Sequence, residues 1–142
     1  MGAQALLLDK YGQPDAAYQS KWCIMWKIKE DFPWFPAEKI FINSDFKDKL
    51  DKAFTALEMT GHHKEIKTFD GCYNERSVRG KSALSLHAWA AAIDMNASVE
   101  KLGQTQTHFS EDFLNIMRAA AIYWGGDFIN RKDPMHFALL NG

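Results

Sequence analysis

Five histidines, His62, His63, His87, His108 and His136, are the residues in this chain best suited to metal chemistry, and two of them stand near carboxylates. His87 lies in SALSLHAWAAAIDMN, with Asp94 seven residues on; His136 lies in RKDPMHFAL, with Asp133 three residues before it. If AAIDM (91–95) and MHFAL (135–139) are strands, side chains alternate between faces. Asp94 then shares a face with Ala92, and His136 shares one with Ala138, so small neighbours leave room for an ion and a substrate. Two imidazoles and one carboxylate form the protein part of a catalytic zinc set, whose fourth position holds water. The ion brings the pKa of that water towards about 7. A nearby carboxylate can act as general base; Asp133 is the candidate, because Pro134 stiffens its link to His136. Spacing alone is a weak signal. There is no HExxH, and a histidine taken singly is more often a hydrogen-bonded core or surface residue. His62 and His63 read as a solvated turn after a helix, and His108, just before a helix cap, as structural.

Placing these residues requires strands and helices around them. EKIFIN (38–43) reads as a short strand. Ser44 reads as the cap of a helix whose apolar face is Phe46, Leu50, Ala53, Phe54 and Leu57, with Gly61 as its stop. EIKTFD (65–70) alternates like a strand. A second helix starts at Ser110, with Glu111 and Asp112 in its first turn and Phe109 and Leu114 placed as a hydrophobic staple. Phe113, Ile116, Met117 and Ala120 face the core, and Gly125-Gly126 ends the helix. Residues 1–37 read as irregular, an aromatic-rich N-terminal layer carrying Trp22, Trp26, Phe32, Trp34 and Phe35. The expected class is α+β, a small and mainly antiparallel sheet with helices packed on it.

At 142 residues the chain suits one domain, expected as an N-terminal layer over 1–37 and a catalytic core over 38–142. Apolar residues at 46% and charged residues at 25% argue against disorder. A formal net charge of -1 supplies no general attraction to nucleic acid or anionic membrane. Cys23 and Cys72 are too few for a disulfide scaffold and are not spaced as a zinc pair, so they read as free thiols. The opening MGAQALLLDKYG has no basic residue ahead of its short apolar stretch, so no signal peptide is expected. No segment has the length of a membrane span, and no stable membrane association is expected.

The stretch Ser85-Leu86-His87-Ala88-Trp89-Ala90-Ala91-Ala92-Ile93-Asp94 resembles the SxHxxGxAxD motif of the zinc D-alanyl-D-alanine carboxypeptidase family. That family includes D-Ala-D-Ala dipeptidases and phage L-alanyl-D-glutamate endopeptidases. Its second motif, D-x-x-H on a late strand, resembles Asp133-Pro134-Met135-His136. FDGCYNERSVRG…SLHAWAAAIDMN…WGGDF…DPMHF is most similar to the short single-domain phage cell-wall peptidases. The resemblance covers about residues 65–139 well and the first sixty loosely. It implies one Zn²⁺ held by His87, Asp94 and His136, with Asp133 as base. It also implies an arginine upstream of the first motif that stabilises the oxyanion; Arg76 is favoured over Arg79. Ser85 would support the ligands by hydrogen bonding, and Trp124 and Asp127 would flank the pocket. The motif's glycine is Ala90 here, a cost if that position needs positive φ.

The expectation is therefore a monomeric zinc peptidase with a hedgehog/D,D-peptidase-like fold, cutting the L-Ala–D-Glu bond of the peptidoglycan stem. Made in the cytoplasm, it would reach the wall through a membrane pore or from a virion. A D,D-carboxypeptidase or dipeptidase with the same zinc would need Arg79 or Lys81 for a terminal carboxylate. A non-catalytic zinc-stabilised binding or virion domain is the third alternative, since fold and metal do not guarantee hydrolysis.

Overall fold

The computed structural model describes residues 2–73 and 85–141. Helix α1 (Ala3–Tyr11) and helix α2 (Ala16–Trp22) lead into strand β1 (Cys23–Trp26) and the short helix α3 (Ile28–Asp31). Strand β2 (Ile40–Asn43) pairs antiparallel with β1 and runs directly into the long helix α4 (Ser44–Thr60). Strands β3 (Phe69–Gly71), β4 (Ala92–Met95), β5 (Tyr123–Trp124) and β6 (His136–Ala138) form an antiparallel sheet in the order β3-β4-β6-β5, with helix α5 (Glu111–Ala119) between β4 and β5 in sequence. The α+β class and the antiparallel pairing agree with the sequence pattern.

Local chemistry accounts for most boundaries. The expected face of α4 is fully buried. Its cap is Asn43 rather than Ser44: the Asn43 side-chain oxygen accepts from the amides of Asp45 and Phe46, while Ser44 is the first helical residue. Gly61 closes the helix in the left-handed region, at φ 80°. Ser110 caps α5 by accepting from Phe113 N, as expected. That helix stops at Ala119, however, and Ala121 takes φ 60°, so Gly125-Gly126 is not its terminator. The strand expected over 65–70 is confined to Phe69–Gly71, because His62–Glu65 forms a 3₁₀ turn. Residues 1–37 are not irregular either. Their helices are short and weakly amphipathic, so propensity gave little signal; tertiary packing fixes them, with Leu7, Ile28 and Phe35 fully buried. Of the aromatic cluster, Trp26, Phe32 and Phe35 are core residues, and Trp22 and Trp34 pack on its edge.

The core beneath β4 and β6 is aromatic. Ile93 and Phe137 are partners across the two strands and both are fully buried. Phe109, Phe113 and Phe137 pack as a triad with ring centroids 4.6–6.0 Å apart. No helix among the described residues is long and apolar enough to cross a membrane.

Candidate metal centre

Asp94 and His136 are direct partners in the β4–β6 ladder, next to Ile93–Phe137 and Ala92–Ala138. Antiparallel partners point to the same face, so register alone brings the carboxylate and the imidazole together. Ala92 and Ala138 are 0% and 1% exposed. The expectation that they leave open room therefore needs correction: that end of the face is covered, and solvent reaches it at Asp94, whose side chain is 17% exposed.

His87 comes from outside the sheet. It sits in a 3₁₀ turn, Leu86–Trp89, capped by Ser85, whose hydroxyl accepts from His87 N at 3.2 Å. The turn closes with Ala90 at φ 53°, in the left-handed region. This is where the resembled motif has glycine, so the methyl group carries a conformational cost of about 1 kcal/mol here. The N-terminal layer braces the same turn. Trp89 Nε1 donates to Gly12 O at 3.0 Å, Tyr18 OH donates to Trp89 O, and Asn43 N donates to Ala90 O at 3.0 Å.

Together, one donor atom from each of His87, Asp94 and His136 falls within 4.8 Å of the others. His87 Nδ1 lies 2.7 Å from Cys72 O, a carbonyl that can only accept, which leaves Nε2 as a lone-pair donor facing Asp94. Nε2 is 3.4 Å from Asp94 Oδ2, and His136 Nδ1 is 3.6 Å from Asp94 Oδ1. These gaps are long for hydrogen bonds. They run to the two different oxygens of Asp94, so the carboxylate stands between the two imidazoles with its charge open to a shared cation. Asp94 Oδ1, His136 Nε2 and Asp133 Oδ1 are buried and find no hydrogen-bond partner among the described residues. Such a cluster is costly without a cation to satisfy it. The donor set therefore fits zinc.

The electrostatics separate two carboxylates. Burial raises the pKa of Asp94, but the His136 and His87 imidazoles more than offset this and hold it well below the usual range. Burial pushes Asp133 up, and the Asp94 charge adds to it against the pull of His136, His87 and Arg131. One carboxylate is thus held as an anion fit for ligation. The other is biased towards taking a proton.

Asp133 is fixed by its backbone. Its N–H donates to Gly125 O at 2.9 Å, and its carbonyl accepts from His136 N at 3.0 Å. A Cβ on Gly125 would stand 2.1 Å from Asp133 O, so Gly125 serves this close approach. Trp124 is buried and donates from Nε1 to Pro134 O at 2.7 Å, which secures the other side of Asp133. Asp127 is turned to the surface, bridged by Arg118 at 2.8 and 3.0 Å. Arg76, Arg79 and Lys81 lie outside the described residues.

The other histidines are apart from this group. His62 and His63 are half-buried rather than solvated: His62 Nδ1 is 2.7 Å from Glu65, and His63 packs on Trp34 at 5.0 Å. His108 Nδ1 is 3.2 Å from the fully buried Glu100. Cys23 and Cys72 are free thiols.

Sequence patterns missed Gly125, Tyr18 and Asn43, because their contributions are backbone approach and long-range hydrogen bonds. Residues 79–139, which contain His87, Asp94, Asp133 and His136, match a family model described as D-alanyl-D-alanine carboxypeptidase. No curated protein matches the chain. The family match supports the resemblance carried by the two motifs, and with it a peptidase of the kind that acts on peptidoglycan.

Proposed function

We propose that this chain is a zinc-dependent peptidoglycan peptidase, an L-alanyl-D-glutamate endopeptidase acting as a phage endolysin or virion-associated lysin. The observation that carries the proposal is the His87–Asp94–His136 group with Asp133 beside it in the same electrostatic field. A zinc ion held by the three ligands would polarise the scissile carbonyl and acidify the attacking water. Asp133 takes the proton from that water and returns it to the leaving amine; its raised pKa suits both steps. His87 is held in one tautomer by Cys72 O, and Ser85 fixes the backbone beneath it. An arginine facing the developing oxyanion is assigned to Arg76. On this assignment Arg76→Ala lowers kcat/KM by about 100-fold and Arg79→Ala by much less. The reverse order in steady-state assays exchanges the two roles.

The deciding experiment is mass spectrometry of purified peptidoglycan incubated with the zinc-loaded protein. Stem peptides beginning at D-Glu, with L-Ala left on the glycan, are the expected products. Release of terminal D-Ala alone would make the protein a D,D-carboxypeptidase. Intact peptidoglycan with zinc bound would make it a non-catalytic zinc-stabilised domain.

A further inference from the structure

The loop between β5 and β6 carries Asp133 at one end and a half-buried aromatic ring, Phe128, nearer the other. Phe128 lies 5.7 Å, centroid to centroid, from His136 with an interplanar angle of 52°. Ile129, beside it in the chain, is 96% exposed.

This loop is internally tied although it contains little regular structure. The Lys132 ammonium donates to Gly126 O at 3.1 Å and Phe128 O at 2.9 Å. Phe128 N donates to Gly125 O at 3.2 Å. Lys132 O in turn accepts from Gly103 N at 2.7 Å, which anchors the loop to the segment after β4. These bonds tie the loop to itself and to the segment after β4, with Phe128 beside the ligand His136. A wall fixed in advance loses little freedom on binding.

We infer that Phe128 is a specificity-determining residue: its ring forms the apolar wall that receives the methyl side chain of the alanine at the scissile bond. The inference rests on the proposed peptidase function and names the substrate group that Phe128 meets. A carbonyl drawn to the metal position lies beside His136. The Cα atoms flanking a peptide bond are only about 3.8 Å apart, so a side chain next to that bond comes within reach of a ring packed on His136. A methyl group meeting an aromatic face gains apolar burial, whereas a charged side chain there would be desolvated without a partner.

The test is a cycle across enzyme and substrate. Wild type, Phe128→Ala and Phe128→Leu, each loaded with zinc, are assayed on a synthetic stem peptide and on the same peptide with its scissile alanine replaced by glycine. Wild type should lose about fivefold in kcat/KM on the glycine peptide. Phe128→Ala should lose about tenfold on the alanine peptide and much less on the glycine peptide, with zinc content unchanged. Phe128→Leu, which keeps an apolar wall, should recover most of the loss. Calorimetric binding of both peptides to zinc-loaded protein carrying Asp133→Asn, with and without Phe128→Ala, should show the same non-additivity without turnover. Equal losses on both peptides, or none, would overturn the wall. Wild-type protein that binds zinc but cleaves neither peptide would overturn the peptidase function itself, and the wall with it.

Discussion

Asp133 and Asp94 are neighbouring carboxylates for which opposite tasks are proposed, and each proposal follows from what surrounds the carboxyl. Imidazoles on both sides keep Asp94 ionised, whereas burial and the nearby Asp94 charge work against the charge on Asp133. Asp133→Asn should retain one zinc per chain, measured by elemental analysis, while kcat falls at least about 100-fold. The same variant separates function from stability. A carboxyl whose folded pKa is raised stabilises the fold fully only below its unfolded pKa, near 3.8. That contribution is lost as pH rises through the folded value. Zinc-free Asp133→Asn should therefore be more stable than zinc-free wild type at neutral pH. The difference should shrink below pH about 4, as followed by urea denaturation across pH. No gain at neutral pH would show that Asp133 carries no burial penalty. The two motifs and the family they resemble, rather than spacing alone, made the His87–Asp94–His136 group legible. Gly125 was legible only as a glycine, since its purpose is the carbonyl that comes to it across the loop.

At the scale of elements, the site is a ladder partner pair, a capped turn and a tied loop, and each can be disturbed separately. Gly125→Ala puts a methyl group into Asp133 O. It should shift the base while leaving the three ligands in place: kcat drops, zinc stays, and stability falls by about 1–3 kcal/mol. Unchanged kcat would show that the loop yields without moving Asp133. Asn43 joins two elements at once, capping α4 and donating from Nδ2 to Tyr18 OH at 2.9 Å, with no exposed surface. Asn43→Ala should cost about 2 kcal/mol in urea unfolding; a cost under about 0.5 kcal/mol would mean that water replaces both partnerships. The strands β2, β4 and β6 and the helices α4 and α5 were readable from their apolar period, with Gly61 and Ser110 as correct end signals and the cap of α4 and the stop of α5 misplaced. The N-terminal helices were not. Their residues carry no clean period, and what holds them is contact with segments far along the chain, such as Tyr11 with Asp45, Tyr18 with Asn43 and Trp89 with Gly12.

For the whole molecule, that contact divides the labour. The segment matching the family model, 79–139, contains His87, Asp94, Asp133 and His136, while part of the frame that supports His87 comes from the first 43 residues. Because His87, Asp94 and His136 come from the 86–89 turn, β4 and β6, the proposed metal binding would be a property of the assembled fold. Chelation should lower the melting temperature by roughly 10 °C, corresponding to about 4 kcal/mol of lost linkage at a thousandfold excess over Kd. Added zinc should restore it in calorimetry; an unchanged melting temperature would mean that the three ligands do not bind the ion tightly.

The Asp94–His136 pairing also bears on how the chain selects its own fold. Side chains in a strand alternate, so a slip of one residue between β4 and β6 would send Asp94 and His136 to opposite faces. A misaligned sheet cannot then hold the ion, and mass action from free zinc favours only the aligned one. On the proposed function, refolding with zinc present would carry its own proofreading step: the ion proposed to activate the attacking water would also check that the two strands have met in register.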